Sequence, residues 1–204
     1  MSATRVIYHA EKKEASLTVQ NKDKKEEFLI QTWVEDAGGN KKTSFIVTPP
    51  LFRLDPLKDN ILRIVNIGGV LPQDRESVYW LNVKAIPSHS DNADTANVLQ
   101  IAVRTRLKLF YRPQGLTGTP EDNAPLLSFK QSGNQLVVTN PGSYNLSFDH
   151  VALDKKPLEK TGMVPAKGTL TLTLPANTAR AAQVEYSLIN DFGASSQSYS
   201  HVVQ

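Results

Sequence analysis

Asn97-Val98-Leu99-Gln100-Ile101-Ala102-Val103-Arg104-Thr105-Arg106-Leu107-Lys108-Leu109-Phe110-Tyr111-Arg112-Pro113 reads as one long strand. Its first half alternates aliphatic and polar residues. Successive side chains of a strand project to opposite faces, so Leu99, Ile101 and Val103 share one side while Gln100 and Arg104 take the other. Such a row has two uses. It can line the protein's own core, the ordinary reading of an alternating strand. It can also be offered to another chain, whose backbone pairs with it and whose pockets take every second side chain.

Outward from this strand the period is two nearly everywhere, over 16–21, 27–35, 43–48, 61–66 and 77–86. Asn21-Lys22-Asp23, Gly38-Gly39-Asn40, Thr48-Pro49-Pro50, Gly68-Gly69 and the loop from Pro87 to Asn97 punctuate these runs. That spacing belongs to an all-β sandwich. Tyr111 to Pro125 is rich in Pro and Gly and reads as a hinge, with one short helical turn at Pro120-Glu121-Asp122-Asn123. The strand rhythm then resumes over 126–130, 135–140, 145–153, 169–174, 183–190 and 197–203. At 204 residues the chain is twice the length of an ordinary sandwich of about 100 residues. Two sandwich domains are expected, residues 1–114 and 115–204.

Hydrophobic residues make up 40% and charged residues 21% of the chain, and no apolar run approaches the ~20 residues that span a bilayer. Membrane insertion is not expected. The absence of cysteine excludes disulfides, thiolate zinc sites and thiol catalysis, and suits a reducing or an oxidising compartment equally. A net charge of +3 is far from the clustered basicity of a nucleic-acid binder. A binder using Arg104, Arg106, Lys108 and Arg112 would lack clustered aromatic stacking residues, so no nucleic-acid partner is expected.

Catalytic and metal-binding patterns are thin. His9, His89, His150 and His201 have no ligand spacing. Asp149-His150 lies in a strand, where adjacent side chains face opposite ways, and Glu35-Asp36 before Ala37-Gly38-Gly39 reads as a turn. No enzyme, metal or cofactor is expected.

Several segments stand in the order found in one family: Thr4-Arg5-Val6-Ile7-Tyr8, Thr48-Pro49-Pro50-Leu51-Phe52-Arg53-Leu54, Leu71-Pro72-Gln73-Asp74-Arg75-Glu76-Ser77, Trp80-Leu81-Asn82-Val83-Lys84-Ala85-Ile86-Pro87, the strand ending at Pro113, and Ile189-Asn190-Asp191-Phe192-Gly193. Together they span nearly the whole chain and resemble the periplasmic pilus (fimbrial) chaperones of the chaperone–usher pathway. The brevity of the 87–97 loop is similar to the short-loop class. The resemblance implies two immunoglobulin-like β-sandwich domains in a boomerang arrangement with an interdomain cleft. It implies pilus subunits and an adhesin as partners, an outer-membrane usher as recipient, and a periplasmic location with the signal peptide removed.

The mechanism implied is donor-strand complementation, with Leu99, Ile101 and Val103 entering a subunit that lacks its last strand. The resemblance also implies that Arg5 and Lys108 anchor the subunit's C-terminal carboxylate, and that Glu76, Arg112 and Asp191 form interdomain ion pairs. Lys108 lies five residues from Val103, hence on the opposite face unless a bulge intervenes. Phe192 stands where the family usually carries Tyr. The rival reading is a pilus subunit or a two-domain adhesin; the absence of cysteine and the Arg5–Lys108 pair argue against it.

Overall fold

The computed structural model describes residues 1–88, 101–175 and 178–204. The chain divides into two compact units. Met1–Val70 and Val78–Tyr111 form the first; Leu71–Ser77 and Arg112–Gln204 form the second. The segment Leu71–Ser77, although flanked in sequence by first-unit residues, thus belongs with the C-terminal half.

The first unit holds β1 (Arg5–His9), β2 (Ala15–Gln20), β3 (Phe28–Glu35), β4 (Phe45–Thr48), β5 (Leu51–Leu54), β6 (Asp59–Asn66), β7 (Ser77–Pro87, shared with the second unit at Ser77) and β8 (Val103–Arg112, shared with it at Arg112). One sheet runs β1-β8-β7-β3-β5 and the other β2-β6-β4. Alternation puts Ile30, Thr32 and Val34 of β3 and Leu81 and Val83 of β7 inside, against Leu17, Leu62 and Ile64 from the second sheet. Tyr8 packs edge-on to Phe45 at 5.3 Å and lies 6.1 Å from Tyr111, closing one end of this core.

In the second unit a short helix α1 (Pro120–Asn123) starts on a capping box. Thr119 Oγ1 accepts from the Asp122 backbone N–H, and the Asp122 carboxylate accepts from the Thr119 backbone N–H. A 3-10 turn, Ala124–Leu126, follows. Then come β9 (Ser128–Ser132), β10 (Gln135–Asn140), β11 (Leu146–Leu153), β12 (Lys156–Pro157), β13 (Met163–Val164), β14 (Gly168–Thr173), β15 (Gln183–Leu188) and β16 (Tyr199–Val202). The sheets are β14-β10-β9 and β12-β11-β15-β16, with β13 also paired to β11. Phe129, Leu136, Val138, Leu146, Val151 and Tyr186 fill the space between them. Gly142 is required by packing: a Cβ there would stand 1.8 Å from Asn123 Oδ1, which accepts from the Ser143 N–H.

The all-β expectation holds, as does the helical turn. β1, β5, β12 and β13 were not among the expected runs; β5, β12 and β13 are too short to show an alternation of their own. Asp149 and His150 do not face opposite ways as expected. β11 shifts register between Phe148 and His150, and both Asp149 and His150 are exposed there. A bulge breaks the phase on which strict alternation depends. The 87–97 loop, except for its first residues, and Leu99 lie outside the described residues.

Candidate functional site

β8 changes character along its length. At its C-terminal end Leu107, Leu109 and Tyr111 are buried in the first unit's core, whereas on the same face Val103 is 58% exposed; Ile101, just before the strand, is 67% exposed. The strand therefore begins beyond its own core. β1 neighbours β8, with Arg5 5.8 Å over the Phe110 ring and Tyr8 6.1 Å from Tyr111 at the strand's later part. Val103 also stands at the rim of an apolar recess of about 200 Å³ lined by Val19, Ile30, Leu54 and Val83. Ile101 does not line it.

From Arg104 to Leu109 the burial of β8 alternates, which places Lys108 on the face of Arg104 and Arg106, while Leu109, Phe110 and Tyr111 beyond it are all buried. Arg5, on the adjacent strand, is 9% exposed. Burial holds the Lys108 ammonium below its ordinary value of 10.5, and the positive charge of Arg5 lowers it further. The structure thus brings these two cations close together in a half-desolvated place. Both effects disfavour the charged form of Lys108.

Arg112 organises a separate cluster inside the second unit. Its Nε donates to Glu76 at 2.7 Å, and its two Nη groups donate to the Asp191 carboxylate at 2.7 and 3.0 Å in a fork. The guanidinium also lies 5.1 Å from the Tyr144 ring. The Glu76 side chain is 1% exposed, and its other oxygen accepts from the Asn145 backbone N–H at 3.0 Å. Burial pushes the Glu76 carboxyl above its ordinary value despite the pull of Arg112. Asp191 sits in a turn where Asn190 Oδ1 accepts from the Phe192 and Ala194 backbone N–H groups, leaving Phe192 itself 93% exposed. All three expected ion-pair residues come together, but all three belong to the second unit. The cluster fastens Leu71–Ser77 to that unit, helped by the Lys167–Asp74 pair at 2.7 Å.

Residues 1–117 match the family described as pili and flagellar-assembly chaperone, PapD N-terminal domain, and residues 122–200 match the pili assembly chaperone PapD, C-terminal domain. The chain belongs to the pilus-assembly chaperone family. A probable fimbrial chaperone, LpfB of Escherichia coli O157:H7, is 62% identical over 194 residues, 95% of this chain and 84% of the relative. Among solved structures, the Salmonella enterica SafA pilin in complex with the SafB chaperone aligns at a TM-score of 0.90 and 36% identity, covering 98% of this chain and 94% of that one. The periplasmic chaperone SfaE aligns at 0.83 and 40% identity, over 100% and 98%. The two immunoglobulin-like sandwiches are therefore those of a pilus-assembly chaperone. No helix among the described residues is long and apolar enough to cross a membrane.

One cluster in this chaperone escaped the sequence reading. Glu35 is no turn residue. It ends β3 at 6% exposure and holds Arg104, while only Asp36 makes the turn, accepting from the Asn40 backbone N–H. The hydrogen bond from the Trp33 indole N–H is the main cause of a lowered Glu35 pKa. Sheet pairing also brings Trp33 and Trp80 to the arginines of β8, a meeting that sequence order conceals. Arg104 and Arg106 lie over those rings.

Proposed function

We propose that this chaperone captures pilus subunits in the periplasm by donating β8, in a domain read as residues 1–114, to a subunit's open groove, and then passes them to an outer-membrane usher. The observation that carries this reading is a strand whose C-terminal half is core while Ile101 and Val103, at its start, are exposed apolar residues. An exposed strand with apolar residues is a ready template for pairing, which a subunit lacking a strand would use. The aligned SafB structure holds a pilin, and that likeness supports the same class of partner here. Burial of each aliphatic side chain contributes roughly 1.5–3 kcal/mol before ordering costs. The function needs no catalytic step, cofactor or nucleic acid.

In this reading Arg5 and Lys108 receive the subunit's C-terminal carboxylate. Arg5 suits a bidentate contact, and a bound carboxylate favours the charged form of Lys108 that burial and Arg5 disfavour. Replacing Lys108 by Ala should weaken capture by about 10–100-fold, the scale of one hydrogen bond to a charged group, with the melt of the free protein nearly unchanged. pH gives a sharper measurement. Lys108 is held below 10.5 in the free chaperone and is raised again by a bound carboxylate, so capture takes up a proton. Affinity should fall as pH rises through the free-state value, earlier than for an ordinary lysine. Lys108→Arg, which stays charged, should remove that alkaline loss. Co-purification of a co-expressed pilin at parental yield with both Arg5→Ala and Lys108→Ala present would refute the anchor.

A further inference from the structure

The outer face of the β1-β8-β7-β3-β5 sheet carries a side-chain network spanning three strands. Trp33 and Glu35 of β3 stand opposite Asn82 and Trp80 of β7. Arg104 of β8 reaches both strands. Its Nη2 donates to Glu35 at 2.7 Å, while its Nε and Nη2 donate to Asn82 Oδ1 at 2.9 and 2.7 Å. Its guanidinium lies 5.0 Å from the Trp33 ring centroid. The acceptors are themselves fixed. Glu35 also accepts from the Trp33 indole N–H at 2.7 Å, and Asn82, fully buried, donates to the Trp80 carbonyl at 3.0 Å. Two residues on, Arg106 lies 4.1 Å over Trp80 and 3.8 Å from Glu35.

The place of this network on β8 gives it significance. Arg104 immediately follows Val103, where the strand begins and where the burial of its core face gives way to exposure. A strand that is donated loses affinity to whatever ordering it must undergo on binding. A guanidinium held by two buried acceptors and an indole face removes rotamer and backbone freedom before any partner arrives.

We propose that Arg104, held by Glu35 and Asn82 over Trp33, is a positioning residue that pre-orders the outward end of β8 for capture, with Arg106 over Trp80 as a second fastening. This rests on the reading of β8 as the donated strand. It adds that the outer face of the sheet sets how well that strand is presented.

The test combines amide hydrogen exchange of the free full-length chain with capture of a co-expressed pilin. Arg104→Met keeps an apolar stem over Trp33 and removes the fork; Glu35→Gln keeps an acceptor and removes its charge. In both, amides from Val103 to Arg106 should exchange about tenfold faster while those of β2 and β6 keep their protection, and capture should weaken about tenfold. Arg104→Lys, with the charge but not the fork, should recover only part of either loss. Uniformly faster exchange through both sheets with a lowered melt would show the cluster only holding the sandwich together and would overturn the proposal. Unchanged exchange, or faster exchange with parental capture, would also overturn it. Retained capture by Ile101→Asp would instead remove strand donation itself, whatever Arg104→Met does to exchange.

Discussion

Arg112→Met is expected to destabilise the second unit by about 3–5 kcal/mol, the cost of leaving one member of a buried ion pair without its partner. The reason is Glu76. Its side chain is 1% exposed against 14% for Arg112 and 32% for Asp191, so the unpaired charge left behind cannot reach water. Asp191→Asn should cost far less, within about 1 kcal/mol, because its carboxylate is partly solvated. Combining Arg112→Met with Glu76→Gln should recover much of the loss, since no buried charge then remains.

The pH dependence of that variant carries the sign. Burial already holds the Glu76 carboxyl above its ordinary 4.5, and removing Arg112 raises it further. A carboxyl whose folded-state value is raised keeps its contribution below the unfolded value and loses it as pH rises through the folded value. Denaturant melts should show a small penalty for Arg112→Met near pH 4.5 that grows toward neutral pH. A penalty independent of pH would mean that Glu76 is not the group left stranded.

The all-β architecture was legible because alternation is written residue by residue and the turns carry Gly, Pro and Asn. Short strands such as β5 and β13 were not, since two to four residues display no period. The outward row of β8 was legible as a pattern, though the pattern alone favoured a core. Burial divides the strand: Leu107 and Leu109 are core, while Ile101 and Val103 are not. Arg5, Lys108, Glu76, Arg112 and Asp191 were singled out through resemblance alone, because residues so far apart in sequence meet only in the folded chain. The same physics hid Glu35. Followed by Asp-Ala-Gly-Gly it resembles turn chemistry, and only the folded sheet shows it paired opposite Trp80 of β7 and accepting from Arg104 of β8. Leu71–Ser77 was read with the first domain on sequence order, yet Glu76 ties it to Arg112 and Asn145 in the second unit.

Ile101→Asp is expected to leave a folded chaperone that no longer retains a subunit. At 67% exposure the new carboxylate stays in water in the free protein, whereas in a subunit's apolar groove it would be buried unpaired at a cost of several kcal/mol. Ile101 is the better probe than Val103, which lines a recess of its own unit. Ile61→Asp on β6, where Ile61 is 52% exposed, makes the same chemical change away from β8 and should spare capture. The most direct measurement is therefore a denaturant melt of Ile101→Asp beside its pull-down of a co-expressed pilin. A parental melt with capture lost is the result predicted; a collapsed melt, or a parental melt with capture intact, would contradict the donation of this strand.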